Sequence, residues 1–246
     1  MGWRATAIVL AAGTCACSAL VSLDDLRSDA SAADASADSP ADAVDAPSGD
    51  VASSSITFVQ AAANNYGSGD LAFLQDVADG DVVIVVSESS VHGAVTLSDT
   101  KSNTWQKIFD AYAATDGATV SMFVAFGVKG GFTTMHVSAS DAGPGYIFYA
   151  AEYRGISAFD VKASGFTQST GKDALVSSSV DTTASPELLF AYANSTGNVT
   201  PGSLFTQRSN FDGNVIQDRI VTIAGNYQAT ATISSDTGDI MLACFH

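Results

Sequence analysis

The sequence has few basic residues, and this scarcity argues against one large class of partner. Lysine and arginine together number 10, against 26 aspartates and glutamates, so the formal net charge is −16 at pH 7. A nucleic-acid-binding protein needs clustered cations to displace the counterions of the phosphates, and here the cations are scattered. The sequence therefore predicts no nucleic-acid partner and no side-chain docking to an anionic membrane face.

Cysteine and histidine are also scarce, which argues against thiol and zinc chemistry. Cys15 and Cys17 lie near the N-terminus, so Cys244 is alone in the rest of the chain and has no partner for an internal disulfide. The apolar run 240–245 around it is typical of a buried strand. The histidines lie far apart and lack the spacing of zinc ligands; they are His92, His136 and His246.

The N-terminal segment, residues 1–17, has the anatomy of a secretory signal. Met1–Arg4 is charged, and Ala5–Ala12 is apolar but shorter than the roughly 20 residues that cross a bilayer. The segment resembles a bacterial lipoprotein signal, in which a small-residue box ends in the cysteine that becomes lipidated. We predict lipidation of Cys17, with Cys15 as the alternative. An ordinary signal cleaved near Ala16 would instead leave a soluble protein.

The residue after the cysteine indicates where a lipoprotein is sorted. In lipoproteins generally, a serine at this position implies the outer membrane, and Ser18 follows Cys17 here. A diacyl anchor with an additional acyl chain exceeds the two signals that stable attachment requires. We therefore predict an outer-membrane lipoprotein that is anchored rather than spanning, on the cell surface or the periplasmic face.

Residues 18–54 have the composition of a flexible tether. Aspartates recur among alanine, serine and proline from Asp24 to Asp50, and Arg27 is the only cation in this stretch. Such a segment cannot bury enough apolar surface to offset the entropy of ordering, so we predict that it is disordered. A flexible linker of this length has a root-mean-square reach of about 30–35 Å.

Residues 55–246 show the alternation of β-strands, interrupted by turn residues. The β-branched run Asp81–Ser87 is typical of a central strand that is covered on both faces. No helix and no internal sequence repeat are recognisable. We therefore predict a single all-β domain, a two-sheet antiparallel β-sandwich with a jelly-roll-like arrangement. Its later strands are predicted at Leu175–Val180, Glu187–Ala193, Ile220–Tyr227 and Asp239–Phe245, with a tight turn at Asp212-Gly213.

Four short motifs resemble a β-sandwich module of secreted bacterial proteins. This chain has Ser102 where the module usually has glycine, and Trp105 where it usually has tyrosine. The resemblance implies a β-sandwich fold and an extracellular location, and it implies no settled catalytic activity. The motifs are Gly80–Val85, Ser98–Trp105, Ala151–Ile156 and Pro186–Ala191.

Aromatic residues are the candidates for binding a carbohydrate, because their faces stack on sugar C–H groups. Trp105 follows a turn, so its ring is predicted to project from a loop, with Asn103 beside it. Tyr149 and Tyr153 lie on the most aromatic predicted strand and complete the candidate ligand site. The alternative is that these rings belong to the core.

Carboxylates are the candidates for calcium binding and for catalysis. Asp76, Asp79 and Asp81 surround Gly80 and form a candidate site for a structural Ca²⁺, although turn chemistry explains aspartate beside glycine equally well. Paired carboxylates also cleave glycosides, and the candidates are Glu88, Glu152 and Glu187. For Glu152 the simpler interpretation is a surface ion pair with Arg154 on one face of a strand.

The sequence contains no Gly-x-Ser-x-Gly elbow, no phosphate loop and no dinucleotide fingerprint. We therefore predict a non-enzymatic β-sandwich that is displayed by a lipid anchor and binds an extracellular ligand, a polysaccharide or a cell-surface protein. The alternatives are a polysaccharide hydrolase or lyase that uses Glu152, and a purely structural envelope protein.

Serine substitution tests the predicted anchor. Cys17→Ser is expected to abolish metabolic palmitate labelling and to release the protein from membranes, because the thiol that accepts the lipid is lost. If the label is lost in Cys15→Ser instead, the attachment site is Cys15. Unchanged labelling of both variants would contradict lipidation.

Overall fold

The described part of the chain folds as antiparallel β-structure. The computed structural model describes residues 55–65, 69–89, 94–113, 118–139, 146–163, 169–170, 174–234 and 237–246. Within these ranges there is no helix long and apolar enough to cross a membrane. The predicted signal, the tether 18–54, both candidate lipidation cysteines (Cys15 and Cys17) and His92 lie outside them.

The first half of the sandwich is a jelly roll of eight strands, which we call the first roll. These strands are β1 (Thr57–Asn65), β2 (Asp70–Ala72), β3 (Val82–Ser89), β4 (Val95–Asp99), β5 (Gln106–Ala113), β6 (Ala118–Ala125), β7 (Thr134–Ala139) and β8 (Tyr146–Arg154). They form a larger sheet in the order β1-β8-β3-β6-β5 and a smaller sheet in the order β2-β7-β4. Pairing of the first strand with the eighth, the second with the seventh and the third with the sixth is the winding of a jelly roll.

The second half repeats this topology, and we call it the second roll. Its strands are β9 (Phe159–Lys162), β10 (Ser169–Thr170), β11 (Ala174–Val176), β12 (Val180–Asp181), β13 (Glu187–Ser195), β14 (Val199–Pro201), β15 (Thr206–Phe211), β16 (Asn214–Val221), β17 (Asn226–Tyr227), β18 (Thr230–Ile233) and β19 (Thr237–Phe245). The larger sheet has the order β10-β19-β13-β16-β15, with β9 also paired to β19, and the smaller sheet has the order β11-β18-β14. A separate pair, β12-β17, has no counterpart among the residues that the structure describes in the first roll.

The two rolls also share the details of their strand pairing. The register of β5 on β6 shifts between Lys107 and Phe109, and that of β15 on β16 shifts at the equivalent place, between Gln207 and Ser209. The prediction of an all-β antiparallel sandwich is confirmed, although the structure has more than two sheets, and the expectation of no internal repeat is wrong at the level of topology. Register depends on backbone pairing and on side-chain alternation, so it persists where residue identities have diverged.

The two larger sheets face each other and share one apolar core, which we call the central core. Each sheet contributes large side chains that are buried from solvent. The first roll supplies, among others, Ile84, Met122, Tyr149 and Tyr153, and the second supplies Phe190, Tyr192, Met241 and Phe245.

The outer face of each larger sheet is covered as well. In the first roll, Val83 and Val85 pack beneath the smaller sheet, against residues such as Leu71 and Met135. The second roll repeats this arrangement with a separate outer cluster under its own smaller sheet. The prediction that Asp81–Ser87 contains a strand covered on both faces is therefore confirmed, since Val82 to Val86 are fully buried.

Two turns explain residues that the sequence singled out. Asp212 and Gly213 have φ angles of 51° and 82° and connect β15 to β16, so the predicted tight turn is confirmed. Ser102 has a φ of 56°, in the left-handed region that favours glycine.

A cavity in the central core tests whether the two rolls unfold as one unit. Phe190→Ala removes a fully buried ring from the second roll and is expected to destabilise the protein by about 3–5 kcal/mol. In a chain that lacks residues 1–17, Trp105 in the first roll is the only tryptophan, so its fluorescence reports on that roll. We expect the denaturation midpoint from Trp105 fluorescence to fall together with that from circular dichroism.

The matched control is Leu204→Ala, which truncates a side chain that is 65% exposed and should leave both midpoints within the range of a surface substitution. A Trp105 transition that stays unchanged in Phe190→Ala would show that the rolls unfold independently.

Candidate ligand-binding site

Tyr149 and Tyr153 do not form a ligand site. Both side chains are buried in the central core, with 0% of their surface exposed. The Tyr149 hydroxyl donates a hydrogen bond to the carbonyl of Phe211 (2.6 Å), and burial raises the pKa of Tyr149. The prediction that these rings contact a ligand is wrong, because both faces of β8 are covered and neither face reaches solvent.

Tyr153 instead belongs to a polar network that joins the two rolls. Its hydroxyl donates to the Asp218 carboxylate (2.5 Å), and the Arg208 guanidinium donates to the same oxygen (2.7 Å). The guanidinium also lies 4.0 Å from the centre of the Phe58 ring. Burial, followed by the charge of Asp218, raises the pKa of Tyr153, so the phenol stays protonated and serves as a donor.

Trp105 and Asn103 are engaged in holding their own loop. The indole N–H of Trp105 donates to Asp99 Oδ2 (2.8 Å). The half-buried ring packs against the apolar cluster beneath the smaller sheet of the first roll. The Asn103 amide accepts the N–H of Lys129 (2.8 Å) and donates to its carbonyl (3.3 Å). Since these polar groups are satisfied within the chain, they are poor candidates for contacting a ligand.

The predicted calcium ligands do not converge. Asp81 is buried and pairs with both nitrogens of the Arg154 fork (3.0 and 3.1 Å), while Asp79 accepts the N–H of Gly130 (2.6 Å). Asp76 is exposed. In the part of the chain that the structure describes, no three His, Cys, Asp or Glu side chains are grouped so that they could hold a metal. Turn and loop chemistry therefore accounts for these aspartates.

Glu152 is a structural residue with no access to solvent. It is 1% exposed, and its oxygens accept hydrogen bonds from the Gln60 amide (2.6 Å) and the Ala78 N–H (2.9 Å). The expected surface pair with Arg154 is wrong, because Arg154 binds Asp81 instead. Burial raises the pKa of Glu152, and the neighbouring Asp81 adds to the effect.

Glu88 lies too far along its strand to form a catalytic pair with Glu152. It accepts hydrogen bonds from Tyr192 and Asn214 between the two larger sheets. Glu152 is directly opposite Val83, five residues before Glu88 on the same strand. At about 3.3 Å per residue this spacing separates the two positions by roughly 16 Å, whereas paired glycosidase carboxylates lie about 5–10 Å apart.

Glu187 occupies the position in the second roll that Asp81 occupies in the first. In the first roll, Val83 pairs with Glu152, and Asp81 lies two residues before Val83. In the second roll, Leu189 pairs with Cys244, and Glu187 lies two residues before Leu189. Both positions therefore carry a buried acid where the central strand begins.

The surroundings of Glu187 differ sharply from those of Asp81. Neither carboxylate oxygen of Glu187 has a hydrogen-bond partner within the described residues, and the side chain is fully buried. Burial, followed by the nearby Asp160, raises the pKa of Glu187 to about 7. Burial, followed by Glu187 and Asp160, raises the pKa of Cys244, so its buried thiol stays protonated at neutral pH.

A shallow groove lies at the end of the second roll where β16 leaves the larger sheet. Its volume is about 190 Å³. Ile223 is 72% exposed and Ile220 is 39% exposed, and the Tyr227 ring is half-buried. The lining residues are Arg219, Ile220, Val221, Thr222, Ile223 and Tyr227.

The groove is held in shape by hydrogen bonds to neighbouring loops. The backbone of Thr182 donates to the carbonyl of Gly225 (2.9 Å), and the Gly225 N–H donates to the Thr182 hydroxyl (3.0 Å). Ser185 donates to the carbonyl of Thr222 (2.5 Å), and the Tyr227 hydroxyl donates to that of Ile223 (2.6 Å). Because its loop is fixed in this way, the groove needs little ordering to accept a ligand.

The sequence did not indicate this groove, because the segment Ile220–Tyr227 was predicted to form one continuous strand. The strand β16 ends at Val221, and the chain turns before the short β17. The signal that could have revealed the turn is Gly225, since glycine inside a strand pattern marks an interruption.

Comparisons with protein-family models, with curated proteins and with solved structures gave no match. The geometry of the described residues therefore carries the functional proposal.

Glu187→Gln tests the protonation of the buried carboxyl. The pKa of Glu187 is raised from 4.5 to about 7 on folding, so its contribution to stability is full below the unfolded pKa and is lost as the pH rises through about 7. The free energy of unfolding of the variant, minus that of the original protein, should rise by about 2–3 kcal/mol between pH 5 and pH 8. Urea unfolding at each pH measures this difference.

Asp160 and Cys244 interact with Glu187, and His246 interacts with Asp160; these three ionisable groups are unchanged in the variant. Asp160→Asn removes the neighbouring charge, which should lower the pKa of Glu187 and so reduce the loss of stability between pH 5 and pH 8. The reduction should be smaller than in Glu187→Gln, because burial is the larger cause of the raised pKa. A difference that is flat from pH 5 to pH 8 would show that Glu187 ionises normally.

Proposed function

We propose that this protein is a surface-anchored lipoprotein whose double jelly roll binds an extracellular polysaccharide in the groove beside Tyr227, without catalysis. The observation that carries the proposal is the lining of the groove, which combines apolar surface with a few polar groups. It contains the half-buried Tyr227 ring, the exposed Ile220 and Ile223, the Thr222 hydroxyl and the Arg219 guanidinium. Apolar surface with a few convergent polar groups is what a sugar needs for stacking and hydrogen bonding.

The size of the groove favours a polymer over an enclosed small molecule. Its volume of about 190 Å³ is below the roughly 300–1,000 Å³ of pockets that enclose small ligands. An open groove of this size suits one or two units of a chain that continues over the surface.

None of the described residues that line the groove carries a carboxylate, which supports binding rather than hydrolysis. Glycoside cleavage requires a general acid and a second carboxylate facing the same bond. Glu152, the residue expected to serve a hydrolase or lyase, is buried and accepts two hydrogen bonds from its own chain. We therefore favour a binding protein over the enzyme.

Tyr227→Ala tests the site. A glycan array probed with the chain that lacks residues 1–17 should identify a bound polysaccharide, and the variant should weaken that binding about tenfold or more because the stacking ring is lost. Tyr227→Phe is the matched control, since it keeps the ring and removes only the hydroxyl that donates to Ile223. We expect it to retain most of the affinity.

Trp105→Phe separates this site from the loop that the sequence indicated. Loss of binding in Trp105→Phe with full binding in Tyr227→Ala would place the ligand at the Asp99–Trp105 loop. If no glycan on the array binds, the proposed function is wrong.

A further inference from the structure

Arg219 forms no ion pair with a described carboxylate, although the chain is strongly acidic. The structure describes three arginines, and two of them have carboxylate partners: Arg154 pairs with Asp81 (3.0 Å) and Arg208 with Asp218 (2.7 Å). Arg219 has no carboxylate within ion-pair distance among the described residues. With 26 acidic residues and 10 basic ones, the chain has no shortage of acids that could pair with it.

The groove holds Arg219 in place without neutralising it. Its guanidinium carbon lies 5.6 Å from the centre of the Tyr227 ring, and the side chain is half-buried among the groove residues. Asp181 lies on β12, which pairs with β17, but its carboxylate accepts a hydrogen bond from Asn226 (2.8 Å). A positioned cation beside apolar surface therefore faces the groove with its charge unpaired.

We propose that the groove selects an acidic polysaccharide, whose sugar carboxylate binds the fork of Arg219 while the sugar ring lies against Tyr227. This inference rests on the proposed polysaccharide-binding function and deepens it. A guanidinium matches a carboxylate in shape, since two parallel N–H donors meet two oxygens, and a half-buried site strengthens the bond. Neutral glycans would leave the guanidinium unpaired in the complex, which disfavours them.

The charge of the whole protein sharpens this selectivity. A net charge of −16 repels an acidic polymer at long range. Binding must then depend on the local contact with Arg219, and general cationic attraction contributes nothing. Moderate salt, which screens the long-range repulsion more than the close contact, should weaken the interaction little.

Polygalacturonate oligomers and their methyl esters provide a matched pair of ligands, because esterification removes the charge and keeps the sugar chain. Isothermal calorimetry with the chain that lacks residues 1–17 should show at least tenfold tighter binding of the acid. Arg219→Gln should remove this preference by weakening the acid to the level of the ester. Arg219→Lys, which keeps the charge and loses the fork, should fall between them.

Lys129→Gln is the control for charge. Lys129 is exposed and lies in the first roll, outside the groove, so the same loss of one positive charge should leave both affinities unchanged. The thermal unfolding midpoint of each variant confirms that it is folded.

The outcomes separate the two proposals. Equal binding of acid and ester by the unaltered protein, or equal weakening of both in Arg219→Gln, would overturn the acidic selectivity and leave polysaccharide binding intact. Tighter binding of dextran sulfate than of polygalacturonate would also overturn it, since the site would then prefer sulfate. Binding of neither oligomer together with a negative glycan array would overturn the proposed function itself.

Discussion

The packing of the two larger sheets against each other is the contact on which the rest of the structure depends. Each sheet gives one face to the central core, where rings such as Tyr153 and Phe190 meet edge to face with centroids 6.3 Å apart. The other face of each sheet is also apolar and needs a cover, which the smaller sheets provide. A single roll would expose the central-core face of its larger sheet, so each roll serves as the second layer of the other.

The repeated topology shows two solutions to one problem, that of an acid buried where a central strand begins. In the first roll a guanidinium neutralises Asp81, and Glu152 is satisfied by hydrogen bonds. In the second roll burial and the nearby Asp160 raise the pKa of Glu187, so protonation is what allows it to stay buried. The backbone position is the same, and the chemistry that makes it tolerable has diverged.

Local signals predicted the parts of this fold that local physics decides. The β-branched run 82–86 and the Asp212-Gly213 turn have strong local conformational preferences, and both were predicted correctly. The strand β16 was missed because buried polar residues interrupt it: Gln217 bonds to Gly202 and Thr230, on segments that only the fold brings near. Tyr153 was misassigned for a similar reason, since alternation divides a strand into two faces without revealing that both are covered. The groove depends on β12, some forty residues earlier in the chain, so no local pattern could contain it.

The position of β19 constrains the order in which the chain can fold. This strand follows all the other described strands in sequence, yet it lies inside the larger sheet of the second roll, between β13 and the short strands β9 and β10. The second roll therefore cannot close until β19 has emerged, and until then the larger sheet of the first roll has an apolar face with no partner. Such a surface is prone to aggregate during synthesis. The central core of both rolls is therefore complete only when β19 lies in its place beside β13.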